Sequence, residues 1–247
     1  WVAATDGTER VVVWDTASGT VIHDLQDRDG AVTRGSLAVA DDGASLACAV
    51  RHLAVAVWDL GEGRLRRRVG AYGDATSVAL RGDASLVAIG YRHGAIELMR
   101  LPDGFAAGTI NHHTGLAVGL QFSPDGLQLA SGGPAVDSPL RLWDAATGAA
   151  VDGFDPANVP AAPIRAAAFD PGGDLVATGW DDGVIRIWDT TSWELTASLS
   201  VHGAPVNQLA FSPDGAQLTS SDTDGQSLLW DIARATSQTL ASEGVPV

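Results

Sequence analysis

Residues 202–231 read HGAPVNQLAFSPDGAQLTSSDTDGQSLLWD, and this stretch sets the pattern for the whole chain. It opens on His202-Gly203, runs through the apolar Val206, Leu209 and Phe211, and turns on Ser212-Pro213-Asp214-Gly215. It continues through Leu218, turns again at residues 222–225, and climbs to Leu228-Leu229-Trp230-Asp231. Gly, Pro and Asp are confined to the turns and the apolar runs are short. The unit therefore reads as β-strands joined by tight turns.

Working outward, Trp-Asp dipeptides fall at Trp14-Asp15, Trp58-Asp59, Trp143-Asp144, Trp188-Asp189 and Trp230-Asp231. The gap between the second and third is double, and Met99 stands at its middle in a segment of the same shape, Ala95-Ile96-Glu97-Leu98-Met99-Arg100. Successive spacings are then 44, 41, 44, 45 and 42 residues. A period this regular is the signature of a repeat architecture.

Repeats of this length that end in Trp-Asp, with a His-Gly upstream, resemble the WD40 repeat family of β-propellers. The resemblance covers essentially the whole chain. It implies an all-β fold, a β-propeller of four-stranded antiparallel blades lettered a to d in chain order. On that reading residues 1–25 are strands b to d of a first blade. Blades two to six span about 33–69, 76–110, 113–154, 164–199 and 202–240, and 244–247 begin a further strand a. The chain reads as a single propeller domain of 1–247, cut inside a strand at both ends, with a native count of six or seven blades. It starts at Trp1 and its single Met is Met99, so a piece of a longer protein is expected.

The family resemblance also implies a buried network in each well-formed blade. The strand-c Trp donates to a Ser or Thr ten residues earlier, that hydroxyl engages the His before strand a, and the His pairs with a turn Asp six residues before the Trp. Blade six supplies His202, Ser220, Asp224 and Trp230. Blade four supplies His113, Ser131, Asp137 and Trp143, with two residues inserted in its b–c loop, and blade five keeps Thr178, Asp182 and Trp188. Blades two and three carry Cys48 and Ile89 at the hydroxyl position and His52 and His93 at the Asp position. A buried indole N–H and a buried carboxylate both need partners, which is the physical reason for such a network.

His202, Ser220 and Asp224 have the residue types of a hydrolase triad. Their recurrence in register along the chain, and a Ser placed mid-strand with no nucleophile elbow, point to scaffolding. The Asp222-Thr223-Asp224-Gly225 turn lacks the Glu an EF-hand requires, because its twelfth position is Ala233. His112-His113 is followed by no further ligand at metal spacing. No catalytic residue, cofactor or metal is expected.

Function is instead expected at the rim where the b–c turns meet the starts of the a strands. Candidate binding residues there are Arg51, Asp74, Arg92, Arg165, Trp180, Asp181 and Asn207. Arg51 and Arg92 read as charged anchors for an acidic or phosphorylated segment, beside Trp180 as an exposed aromatic. The Arg64, Arg66, Arg67, Arg68 run falls on an outer strand. It reads either as a solvated edge guarded by charge or as a docking patch for an acidic partner or linked domain.

The 247 residues are 45% hydrophobic and 18% charged, ordinary for a globular chain. Net charge is −15, and all 15 basic residues are Arg. That balance argues against nucleic acid and anionic membrane as partners. One cysteine, Cys48, excludes an intrachain disulfide. There is no transmembrane run and no signal-peptide pattern at the start, so a cytoplasmic location is expected. The expected role is a non-catalytic scaffold that offers its rim to a peptide or partner domain. Similarity to bacterial multidomain proteins adds a sensor propeller restraining a linked kinase or NTPase module. An enzyme using the central channel is the third reading.

Overall fold

A computed structural model describes residues 2–5, 10–15, 17–26, 32–40, 43–50, 54–70, 74–101, 103–111, 113–134, 140–151, 162–234 and 236–240. The described strands form six antiparallel sheets of three or four strands. Contacts divide the chain into two compact units, Trp1–Phe122 with Ala146–Gly148, and Ser123–Ala145 with Ala149–Val247.

In the first unit, one sheet orders β1 (Val2–Thr5), β2 (Arg10–Trp14) and β3 (Val21–Gln26). The next orders β4 (Val32–Val39), β5 (Ser45–Val50), β6 (Ala54–Asp59) and β7 (Arg64–Gly70). A third has β8 (Ala75–Leu80), β9 (Leu86–Tyr91), β10 (Ala95–Arg100) and β11 (Ala106–Asn111). β12 (Val118–Phe122) ends this unit. Among the described residues the first of these sheets has three strands and the other two have four.

The second unit opens with β13 (Gln128–Gly132) paired to β14 (Leu140–Asp144). Its other sheets are β15 (Ile164–Phe169) to β18 (Leu195–Ser200), with β16 (Leu175–Trp180) and β17 (Val184–Asp189) between, and β19 (Val206–Phe211) to β22 (Thr236–Leu240), with β20 (Gln217–Asp222) and β21 (Ser227–Asp231) between.

The register explains the repeat. In every blade the Trp position faces a strand-b residue twelve to fourteen positions earlier: Leu46↔Trp58, Leu129↔Trp143, Val176↔Trp188 and Leu218↔Trp230. Met99 faces Val87 in the same place, so the degenerate third repeat keeps the geometry with a softer side chain. Two of these rings share a core with the preceding blade. Trp58 packs with Val11, Val13 and Leu25, and Trp230 with Ala177, Ile185 and Ile187. Strand b of blades two and three is covered on both faces: β5 and β9 are buried along their full length and read as unbroken apolar runs. Burying one such large side chain is worth about 1.5–3 kcal/mol.

The Asp of the Trp-Asp pair has a separate task. Asp15 accepts the backbone N–H groups of Ala17 (3.0 Å) and Ser18 (2.7 Å), and Asp189 those of Thr191 (2.9 Å) and Ser192 (2.7 Å). These are Asx turns that close the c–d hairpin. The left-handed position of that hairpin is glycine at Gly19, Gly63, Gly104 and Gly148, but Trp193 (φ 58°) in blade five. A bulky residue there is unusual, and partial burial against the blade-five core holds it.

Two further glycines set how closely neighbouring blades approach. A Cβ on Gly90 would lie 2.5 Å from the Ala117 carbonyl oxygen, and one on Gly179 2.9 Å from that of Val206. Strand b of one blade therefore runs almost backbone-to-backbone against strand a of the next.

Candidate functional site: a polar rim and buried hydrogen-bond networks

Blade six holds a four-residue chain of hydrogen bonds. Trp230 Nε1 donates to Ser220 Oγ at 2.8 Å, Ser220 Oγ lies 2.6 Å from His202 Nε2, and His202 Nδ1 lies 2.9 Å from Asp222 Oδ2. An ionised carboxylate only accepts, so Nδ1 donates to Asp222, while Nε2 faces the Ser220 hydroxyl. All four groups are then satisfied at once. The carboxylate is Asp222, not the expected Asp224. The other oxygen of Asp222 accepts the backbone N–H groups of Asp224 (3.0 Å) and Gln226 (2.9 Å). Burial pushes the Asp222 pKa up, but the hydrogen bonds from His202 and these two amides outweigh it and hold the group below its ordinary value.

Period-2 alternation carries the reason. Ser220 faces inward on β20, so the residue two further along faces inward with it. That residue is Asp222, the last of the strand, whereas Asp224 lies in the turn beyond it.

The same step of two explains blade five, which has no matching His. Thr178 Oγ1 accepts from Trp188 Nε1 at 2.9 Å and from Trp180 Nε1 at 2.8 Å. Trp180 therefore stands at the strand position Asp222 holds in blade six, and makes the second contact to the hydroxyl that His202 makes there. It is fully buried, which corrects its reading as an exposed rim aromatic. The Arg186 guanidinium lies 4.7 Å above its ring and pairs with Asp182 at 2.8 Å. Asp182 thus serves Arg186 and not a His-centred network. Burial raises its pKa, but the hydrogen bonds from Arg186 and the Val184 amide, with the Arg186 charge, together outweigh this and hold it below the ordinary carboxylate value.

Blade three places Tyr91 at the corresponding position, two residues after Ile89. Its hydroxyl donates to the buried Glu97 at 2.7 Å, and its ring stacks on His93 with centroids 5.4 Å apart. In blade four Trp143 donates to Ser131 at 2.8 Å as expected, and His113 is buried. Asp137, like Arg51 and His52, lies outside the described residues.

In blade six the Ser-His-Asp order of contacts matches that of a hydrolase triad. Yet His202 and Asp222 have side-chain exposures of 0% and 2%, and the Ser220 oxygen is already engaged by an indole N–H. No substrate carbonyl can approach it. The set stabilises the blade.

Above these networks lies the rim, built identically in three blades. The first turn amide bonds the carbonyl before strand a: Arg92 to Asp74 (3.1 Å), Asp181 to Pro163 (3.0 Å) and Thr223 to Pro205 (3.0 Å). Two residues later the a–b register slips by one, leaving Thr76, Arg165 and Asn207 without a partner in the ladder. Such a bulge re-aims its side chain. Thr76 turns inward to the carbonyls of Ala117 (2.6 Å) and Gly90 (3.1 Å). Arg165 and Asn207, on adjacent blades of the second unit, are exposed.

Neither described rim Arg is a bare cation. Arg165 grips Asp181 through Nε and, at 3.2 Å, Nη2, and this hydrogen bonding raises its pKa further against the effect of burial. Arg92 Nε lies 3.8 Å from Asp74, with both side chains at least 70% exposed, a pair worth little in water.

Antiparallel sheets in sequential order, five of them carrying a Trp-Asp pair at the end of the third repeat strand and the remaining one Met99, are blades of the β-propeller class. The WD domain, G-beta repeat profile matches residues 105–144, 158–189 and 193–231. The chain belongs to the WD40 repeat family. It is 30% identical to Autophagy-related protein 16 of Arabidopsis thaliana over 206 residues, 81% of this chain and 38% of that protein. It is 30% identical to WD repeat-containing protein slp1 of Schizosaccharomyces pombe over 187 residues, 74% of this chain and 37% of that one. Similarity to Transducin beta-like protein 3 of Mus musculus is 25% over 195 residues, 78% and 24% respectively. The chain thus spans well under half the length of these relatives, which are eukaryotic. Proteins of this family act in general as scaffolds for protein interaction.

Proposed function

We propose that the chain is a non-catalytic scaffold whose second-unit rim, centred on Arg165, Asp181 and Asn207, receives a segment of a partner protein. The observation that carries this is the pair of bulges on adjacent blades, which turn Arg165 and Asn207 to solvent from a backbone pinned by the networks beneath. Rigid presentation of polar side chains lowers the ordering cost of association.

Because Trp180 is buried, recognition rests on hydrogen bonds and ion-pair exchange, without an aromatic anchor. A partner carboxylate or phosphate would compete with Asp181 for the Arg165 fork, a planar group suited to bidentate binding. The test is affinity capture of partner protein by the native chain and by the Arg165→Ala/Asn207→Ala variant. Loss of the partner with unchanged melting supports the reading; undiminished capture rejects it.

A further inference from the structure

We propose that the outer edge of blade two is a second docking strip, separate from the rim, for an acidic extended segment of a partner protein. β7 is the edge strand of its sheet and carries Arg64, Arg66, Arg67 and Arg68. Four of the 15 basic residues thus lie within five positions of a chain whose net charge is −15. Arg64, Arg66 and Arg68 are exposed. Arg67 is partly covered, its Nη1 2.6 Å from where a Cβ on Gly104 would stand, so the middle of the strip is packed against the blade-three hairpin.

Edge protection alone does not account for this charge. β11, β18 and β22 are outer edge strands too, and none contains a charged residue. If unpaired edges here needed Arg to repel other strands, those three would show it. The cations are particular to blade two.

The local geometry favours side-chain recognition over strand addition. Register slips between Val57 and Trp58 and leaves Arg66 without a partner in the ladder, at the position held by Ile22, Ala107 and Thr196 in β3, β11 and β18. A bulge interrupts the row of outward backbone groups an added strand would need and re-aims its side chain. Among the described residues the ion pair at this strip is Arg64 with Glu62, both more than half exposed, so Arg66 keeps its charge for an incoming carboxylate. Leu65, 39% exposed, adds an apolar side chain to the strip. An extended acidic segment advances about 3.3 Å per residue, matching the spacing of the strip. Nucleic acid is disfavoured as the occupant, since a long polyanion would also meet the surrounding negative charge.

The test uses the full chain and a fluorescein-labelled peptide containing a pentaglutamate segment, followed by fluorescence anisotropy. A pentaglutamine peptide and a single-stranded oligonucleotide of equal charge serve as competing probes. The glutamate peptide should bind and weaken as salt rises from about 50 to about 300 mM. Arg64→Gln/Arg66→Gln should weaken it about fivefold with unchanged melting, whereas Arg165→Ala/Asn207→Ala should leave it unaltered. Equal affinity in the Arg64/Arg66 variant, equal binding of the glutamine peptide, or tighter binding of the oligonucleotide would overturn the proposal.

Discussion

Trp180 and Trp188 donate their indole N–H groups to one acceptor, Thr178 Oγ1, at 2.8 and 2.9 Å. The same hydroxyl lies 3.1 Å from the Arg186 carbonyl oxygen, to which it donates. One buried oxygen therefore satisfies two large rings. Blade five dispenses with the His and Asp of blade six because strand b itself brings the second donor.

Thr178→Val keeps the shape of the side chain and removes that acceptor. Each stranded indole N–H costs roughly 1–3 kcal/mol, so a loss of about 2–6 kcal/mol is expected in urea unfolding. Trp180→Phe keeps the ring under Arg186 and leaves Thr178 one donor, and should cost less.

Asp222→Ala removes the acceptor of His202 and of two turn amides, and should destabilise by about 3 kcal/mol. Asp224→Ala should stay within about 0.5 kcal/mol, as surface changes usually do. Thermal midpoints that shift equally for both would contradict the assignment of Asp222.

The pH dependence follows from the direction of the carboxylate shifts. Asp222 is held below its ordinary value by the bonds already described, Asp189 by the Ser192 amide and hydroxyl, and Asp15 chiefly by the Ser18 amide. A depressed folded pKa favours the native state above the unfolded value of about 3.9 and loses that advantage as pH falls through the folded one. The carboxylate contribution to the melting midpoint should be level from about pH 7 to 5 and fall below about pH 4, with a shallower fall in Asp222→Asn.

Gly179→Ala places a methyl 2.8 Å from Val206 Cγ1 and 2.9 Å from its carbonyl oxygen, and should cost about 1–3 kcal/mol. Gly203→Ala meets nothing within 4 Å and has no positive φ, so its midpoint should barely move.

Much of this was legible in the sequence. The Trp-Asp period fixed the blades, and the ten-residue step found Ser220 and Thr178 because both lie on regular strands paired to the Trp strand. Counting failed at the turns. Six residues back from Trp230 lands in the b–c turn, where spacing no longer says which carboxylate points inward. Alternation from Ser220 would have selected Asp222, and from Thr178 would have placed Trp180 inside. That Arg165 meets Asp181 of the same blade depends on the a-strand bulge, for which the sequence gives no periodic signal.

The most direct measurement compares two variants for stability and partner capture together. Arg165→Ala/Asn207→Ala should keep the native melting midpoint and lose the captured partner, while Asp222→Ala should lower the midpoint and, well below it, still capture. The reverse outcome, capture surviving the rim change but abolished by Asp222→Ala in folded protein, would place function in the buried network and contradict the division between scaffold and rim.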